Sequence, residues 1–259
     1  MTISSFTDTA VSIRQHTLAR STQWRTAERR QRRTDVLMVH PAEADSGVRF
    51  MCHSVLPAAS VIPAHWDAVV DTRNGIVLGN SHGMTLRGVI PLLAALRVAG
   101  IDNAVVEVCG PRIPAALSDF DFYLDMFARA GLQAQDAARR LLCVVDTVEV
   151  RDSFGAVTLS PATGFRACVN MTTIEADGNS DTACTALVSD FTESSAGFSK
   201  LREESPVEAG DARAALPLQE IRALPEPLQT TLVEMIGYLA LAGAPVAANV
   251  YGQRSGSRH

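Results

Sequence analysis

Residues 84–108, MTLRGVIPLLAALRVAGIDNAVVEV, constrain the fold of this chain more than any other stretch. Apolar residues at Leu86, Val89, Ile90, Leu93, Leu96 and Val98 recur at helical spacing, Gly100 fits a C-terminal cap, and AVVEV reads as a strand. A helix therefore hands directly to a buried strand. A second helix is expected over residues 119–130, stopped by Gly131, and a third over 228–242 (LQTTLVEMIGYLALA), followed by a strand in PVAANVYG. Strands are expected at 13–23, 35–39 and 48–52, then in LLCVVDTVEVRD, SFGAVTLSP and FRACVNMTT. The order β-β-β-α-β-α, then β-β-β-loop-α-β, predicts an α+β chain of two similar layered domains, each a small, mostly antiparallel sheet against two helices. The expected domains are 1–137 and 138–259. Residues 1–12 read as frayed, and 174–227, rich in Asp, Glu, Ser, Pro and Gly, as a mobile insert with LVSDF its one expected strand.

With 259 residues, 47% hydrophobic and 20% charged, the chain can bury a substantial core, which excludes disordered, collagen-like and toxin-scaffold classes. A net charge of −5 gives no bulk electrostatic case for nucleic acid or an anionic membrane, so no nucleic-acid partner is expected. Cys52, Cys109, Cys143, Cys168 and Cys184 are odd in number and contain no C-x-x-C pair, which argues against a disulfide framework or a thiolate zinc site. The N-terminus lacks the charged and apolar regions of a signal peptide, and the apolar run at 236–250 is short and interrupted by Gly and Pro. The expectation is a cytoplasmic chain without a transmembrane segment. TAERRQRR, at 26–33, reads as a solvated hairpin tip, with a phosphate or acidic-partner site as the alternative.

Motifs that announce chemistry are scarce. His16, His40, His53, His65, His82 and His259 form neither H-x-x-x-H nor H-E-x-x-H, and the G-x-S-x-G elbow and both Gly-rich phosphate loops are absent. His82, in NSHG ahead of the first helix, stands out, although an isolated loop histidine is by default solvated or structural.

Several peptides carry a resemblance. IRQHTLAR, IPAHWDAVVDTRNG, LLAALRVAGIDNAVVEV with PRIP, and LVEMIGYLALAG followed by RSG resemble the UDP-3-O-acyl-N-acetylglucosamine deacetylases, the LpxC-like zinc amidases of lipid A biosynthesis. The likeness runs along nearly the whole chain and implies that family's two-domain architecture. It also implies a zinc site, which this sequence does not spell. Where the family begins its first helix with Glu-His, as general base and zinc ligand, this chain has Ile90 and Pro91. Where the closing helix reads His-Lys-x-x-Asp, it has Thr230, Thr231 and Glu234; the later helix aspartate is Tyr238, and the loop histidine after S-G is Ser257. Ile90 has no proton-accepting atom and Pro91 no side-chain lone pair. The Gly-rich, His-containing turn of the family is replaced by TAERRQRR, and SSAGF (194–198) is a weak counterpart to its acyl-passage peptide.

The resemblance with its four departures implies a catalytically degenerate homologue, with no catalytic residues, no metal ligands and no cofactor. Its role would be binding, scaffolding or regulation, with Thr230, Glu234, Ser257 and His82 as ligand-binding candidates. The partner would be an active paralogue, another enzyme of the pathway, or an acylated or nucleotide-linked small molecule in the old cleft. The competing expectation is an enzyme with a rebuilt site, a hydrolase or amidase assembled around Glu234 with His82, Asp71 or Ser257. Residual deacetylase activity is the third.

Overall fold

A computed structural model describes residues 6–25, 36–52, 61–114, 119–152, 155–174, 180–189, 221–222 and 224–255. The chain opens with β1 (Phe6–Leu18), β2 (Thr22–Arg25), β3 (Val36–Pro41), β4 (Val48–Cys52) and β5 (Val61–Pro63). A 3-10 turn at Trp66–Ala68 leads into β6 (Val69–Asp71), β7 (Val77–Gly79) and β8 (Thr85–Arg87). Then come α1 (Ile90–Val98), β9 (Ala104–Val108), α2 (Phe120–Ala130), β10 (Leu132–Val144), β11 (Val148–Arg151), β12 (Gly155–Pro161), β13 (Phe165–Ile174), β14 (Ser180–Ser189), α3 (Glu226–Ala240) and β15 (Val246–Ser255).

The strands form a five-stranded sheet in the order β2-β3-β9-β4-β5, a three-stranded sheet β6-β7-β8, and a seven-stranded sheet. In the last, β1-β10-β15-β12-β11 run in order and the β13–β14 pair joins the other side of β15. Most pairings are antiparallel; β4–β9, β10–β15 and β13–β15 are parallel. The α+β architecture with mixed sheets and few helices is the expected one.

Alternation places the core. Leu37 and Val39 of β3, Phe50 and Cys52 of β4, and Ala104, Val106 and Val108 of β9 are buried while the residues between them are not. In α1 every residue from Leu92 to Leu96 is buried, the pattern of a helix enclosed on all sides. It packs on α3 and α2, and one contiguous cluster of buried side chains links the five-stranded sheet, the three helices and β13 and β15. Local chemistry stops the helices. Gly100 (φ 74) follows α1, with Ile101 N–H bonded to Leu96 O at 2.9 Å and Gly100 N–H to Arg97 O at 3.1 Å, a Schellman closure. The Asp119 carboxylate caps α2 by accepting from Asp121 N at 2.9 Å.

Two expectations change. Residues 6–12 are not frayed: from Phe6 against Val144 to Ala10 against Arg140, β1 pairs along β10. Their partners lie more than a hundred residues away and cannot be read locally. The single strand expected at 13–23 breaks after Leu18, so its second part, β2, enters a different sheet. Residue 137, where the two expected domains meet, lies within β10, which pairs with β1. The frame predicted for 174–227 is described in part, with β14 longer than the LVSDF expectation; residues 190–220 and the 26–33 run lie outside the described residues.

Candidate functional site

Two of the positions named by the resemblance, Ile90 and Pro91, open α1. Ile90, the first residue of α1, is 9% exposed. Its carbonyl oxygen and Cγ2 approach so near Gly237 of α3 that a Cβ on Gly237 would lie 2.6 Å from each. Only glycine lets the two backbones come this close. Pro91 occupies the first turn of α1, where its missing N–H has no helical partner to lose. On α3, Thr230, Glu234 and Tyr238 recur every four residues and share one face. Thr230 is exposed, Glu234 half-buried and Tyr238 44% exposed. The Thr231 hydroxyl turns back to donate to Pro227 O at 2.9 Å, so it belongs to the helix backbone.

The other candidates sit elsewhere. His82 is exposed in the turn joining β7 to β8, its N–H and that of Met84 both bonded to Asn80 Oδ1 at 3.1 Å. Asp71 is engaged by Arg73, whose Nε and Nη2 donate to the two carboxylate oxygens at 3.0 and 3.1 Å. That pairing holds the Asp71 carboxyl well below the usual carboxylate range. Ser257 and His259 lie outside the described residues. Among the described residues, no three His, Cys, Asp or Glu side chains gather where they could hold a metal ion, so Glu234, His82 and Asp71 do not form such a group. Zinc takes thiolate, imidazole or carboxylate ligands. On α1 and α3 an isoleucine, a proline, a threonine and one carboxylate stand in the positions the resemblance assigns to the base and ligands, and this donor set does not fit zinc.

Sequence reasoning missed a polar network on the other side of the helices. Asn103, 1% exposed, donates from Nδ2 to Gln15 Oε1 (2.8 Å) and Gln135 Oε1 (2.7 Å), and its Oδ1 accepts from Gly47 N at 2.8 Å. Thr17 Oγ1 donates to Asn103 O and accepts from Ala42 N. Beside it, Arg139 Nε and Nη2 converge on Asp102 Oδ2 at 3.1 and 2.7 Å, while Nη2 also reaches Gly100 O. The same carboxylate oxygen accepts from His16 N at 2.8 Å. Gln15, His16 and Thr17 come from IRQHT, and Asp102 and Asn103 from GIDN; two of the peptides that carried the resemblance are thus the two halves of one structural joint. A second clamp uses His40, whose Nδ1 lies 2.9 Å from Ser21 Oγ and Nε2 3.2 Å from Glu107 Oε2, tying the start of β2 to β3 and β9. Pairing of these residues is set by strand register, which no local spacing reveals.

A family model described as LpxC, UDP-3-O-acyl N-acetylglycosamine deacetylase, matches residues 15–195. Among curated relatives, the UDP-3-O-acyl-N-acetylglucosamine deacetylase of Phenylobacterium zucineum (strain HLK1) is 38% identical over 127 residues, 49% of this chain and 43% of the relative. The protein of that name from Thermosynechococcus vestitus is 28% identical over 262 residues, 95% of this chain and 90% of the relative. That from Anaeromyxobacter sp. (strain Fw109-5) is 39% identical over 131 residues, 50% of this chain and 41% of the relative. The matched stretch therefore spans about two fifths of the first and third relatives and nine tenths of the second.

Proposed function

The chain belongs to the UDP-3-O-acyl N-acetylglycosamine deacetylase family, and from that membership we propose that it keeps the family's architecture without its zinc chemistry, acting as a binding, scaffolding or regulatory protein. One observation carries the reading. The first turn of α1 presents Ile90, buried against Gly237, and Pro91, and neither side chain can take a proton or bind an ion. In a zinc amidase the ion makes bound water nucleophilic near neutral pH and a positioned base receives its proton. Without both, the remaining carboxylate, Glu234, has no water to activate by that route.

What this chain's residues can do is bind. Thr230 and Glu234 offer a hydroxyl and a carboxylate on one exposed or half-exposed helix face, and Tyr238 an amphipathic ring one turn later. With His82 and Ser257 these are the residues assigned to a ligand. The ligand class follows from the relatives' printed substrate, an acylated, nucleotide-linked sugar, and the protein partner from the same reasoning is an active paralogue or another enzyme of lipid A biosynthesis. No helix among the described residues is long and apolar enough to cross a membrane.

The test is acetate release from UDP-3-O-acyl-N-acetylglucosamine, with and without added zinc, beside calorimetric titration of the same compound. The reading predicts no turnover above buffer in either condition. Zinc-dependent release that a chelator abolishes would overturn it.

A further inference from the structure

The seven-stranded sheet ends at β11, which among the described residues pairs with β12 alone. The ladder between them decides which groups the outer edge presents. Asp152 N–H donates to Gly155 O at 2.9 Å, and from there the register runs without a bulge through Arg151 opposite Ala156, Val150 opposite Val157 and Glu149 opposite Thr158. Opposite residues of an antiparallel ladder alternate between bonded and non-bonded pairs. Asp152 and Val150 therefore direct their backbone N–H and C=O groups to β12, while Glu149 and Arg151 direct theirs outward.

The two faces of this edge differ. Val150 and Val157 share the face that continues, through Gly252 opposite Val157 and Val169 opposite Gly252, beneath α3, where a Cβ on Gly252 would meet Met235 Sδ at 3.4 Å. The helix stops short of the edge: Val169 is fully buried, but Val157 is 37% and Val150 53% exposed. On the opposite face stand Glu149 and Arg151, both exposed and paired with each other at 2.9 Å. An edge carrying charges of one sign repels a copy of itself. Here the signs alternate, and they are complementary in one arrangement. An antiparallel copy related by a two-fold axis at Val150 sets Glu149 against the partner's Arg151 and Arg151 against the partner's Glu149, whereas an axis at Glu149 or at Arg151 sets like charges opposite each other.

We propose that β11 is the contact through which two copies of this chain pair, antiparallel about a two-fold axis at Val150, so that the seven-stranded sheet continues from one molecule into the other. Hydrogen-bonding phase and charge select the same register. With the axis at Val150, the residues that meet as bonded pairs are Glu149 and the partner's Arg151, the two whose N–H and C=O groups point outward, and each exchanges both N–H···O bonds with the other. Their side chains form opposed ion pairs on one face. On the other face Val150 meets the partner's Val150 at a close, non-bonded position, which extends the valine row across the axis. An edge of 4 residues makes an interface smaller than the standard class, so the dimer is a weak one whose population follows concentration. This pairing is independent of whether the chain binds zinc or any deacetylase substrate.

The test is sedimentation equilibrium of the full chain over its soluble concentration range. The expected mass rises from that of one chain toward that of two, and less steeply at high salt, which screens the exposed charges. Glu149→Arg and Arg151→Glu each set like charges opposite each other at both pairs and should weaken the dimer by about tenfold or more. Mixing these two variants restores opposite charges at both pairs, so the mixture should associate again, as a heterodimer. Val150→Lys sets two ammonium groups face to face on the axis and should abolish pairing. A single-chain mass at every concentration, which would leave the edge to some other partner or to none, would overturn the proposal. So would a dimer that the folded variants leave unchanged, or a mixture that associates no better than its components. Should either charge variant fail to fold, Val150→Lys beside the wild-type chain decides, because that side chain is already more than half exposed.

Discussion

At the scale of single residues, Ile90 decides what the junction can do. Its side chain is buried and its backbone lies against Gly237, so a carboxylate placed there would lose its water without gaining a partner. Ile90→Glu, the change toward the family's base, is expected to destabilise the chain by about 2 kcal/mol or more, read as a fall in the urea midpoint at constant slope. A variant as stable as the wild type would show that the junction still tolerates a base. His16 sets a pH dependence. Burial first and the Arg139 charge second lower its pKa from the ordinary 6.5, Asp102 opposing them. A histidine with a lowered folded-state pKa is neutral in both states at high pH and binds its proton more readily when unfolded. Its share of stability is therefore present above pH 6.5 and lost as the pH falls through that value toward the folded-state pKa. Denaturation between pH 8 and 5 should show this decline, and His16→Gln should flatten it; an identical slope in both proteins would contradict the assignment.

At the scale of elements, the joint formed by β1, β10 and the turn before β9 holds the sheets in place. Arg139 and Asp102, with side chains 11% and 10% exposed, form a buried pair whose carboxylate also receives His16 N. Removing one partner strands the other charge, so Arg139→Ala should destabilise by about 3 kcal/mol. Arg139→Lys should recover little, because one ammonium cannot copy the fork that reaches both Asp102 and Gly100 O. Equilibrium unfolding of both variants checks this, and a loss below about 0.5 kcal/mol would refute it. The same elements show how far the chain could be read. The ends of α1 and α2 were legible because Gly100, Asp119 and Gly131 act on their own turns. Strand β9 was legible because its alternation is local. The reach of β1 to Phe6 was not, since its pairing comes from β10. The junction residues Ile90, Pro91, Thr230 and Glu234 could be named from the resemblance. The Asn103 network could not, because segments remote in sequence build it.

At the scale of the whole molecule, the proposed reading has the family's frame and its chemistry come apart. Most of the peptides that mark the frame are packing and joint elements: the enclosed α1, the Gln15–Asn103 network and the Gly237 contact. They can persist while the few positions that touch an ion change, because a fold specifies a scaffold and the site is carried on it. The measurement that tests this most directly is the zinc content of the full chain by elemental analysis, purified without chelator, then resupplied with zinc and freed of excess. The account predicts near-zero zinc in both preparations. About one zinc per chain, retained after washing, would contradict it and would mean that donors have been brought together into a rebuilt site.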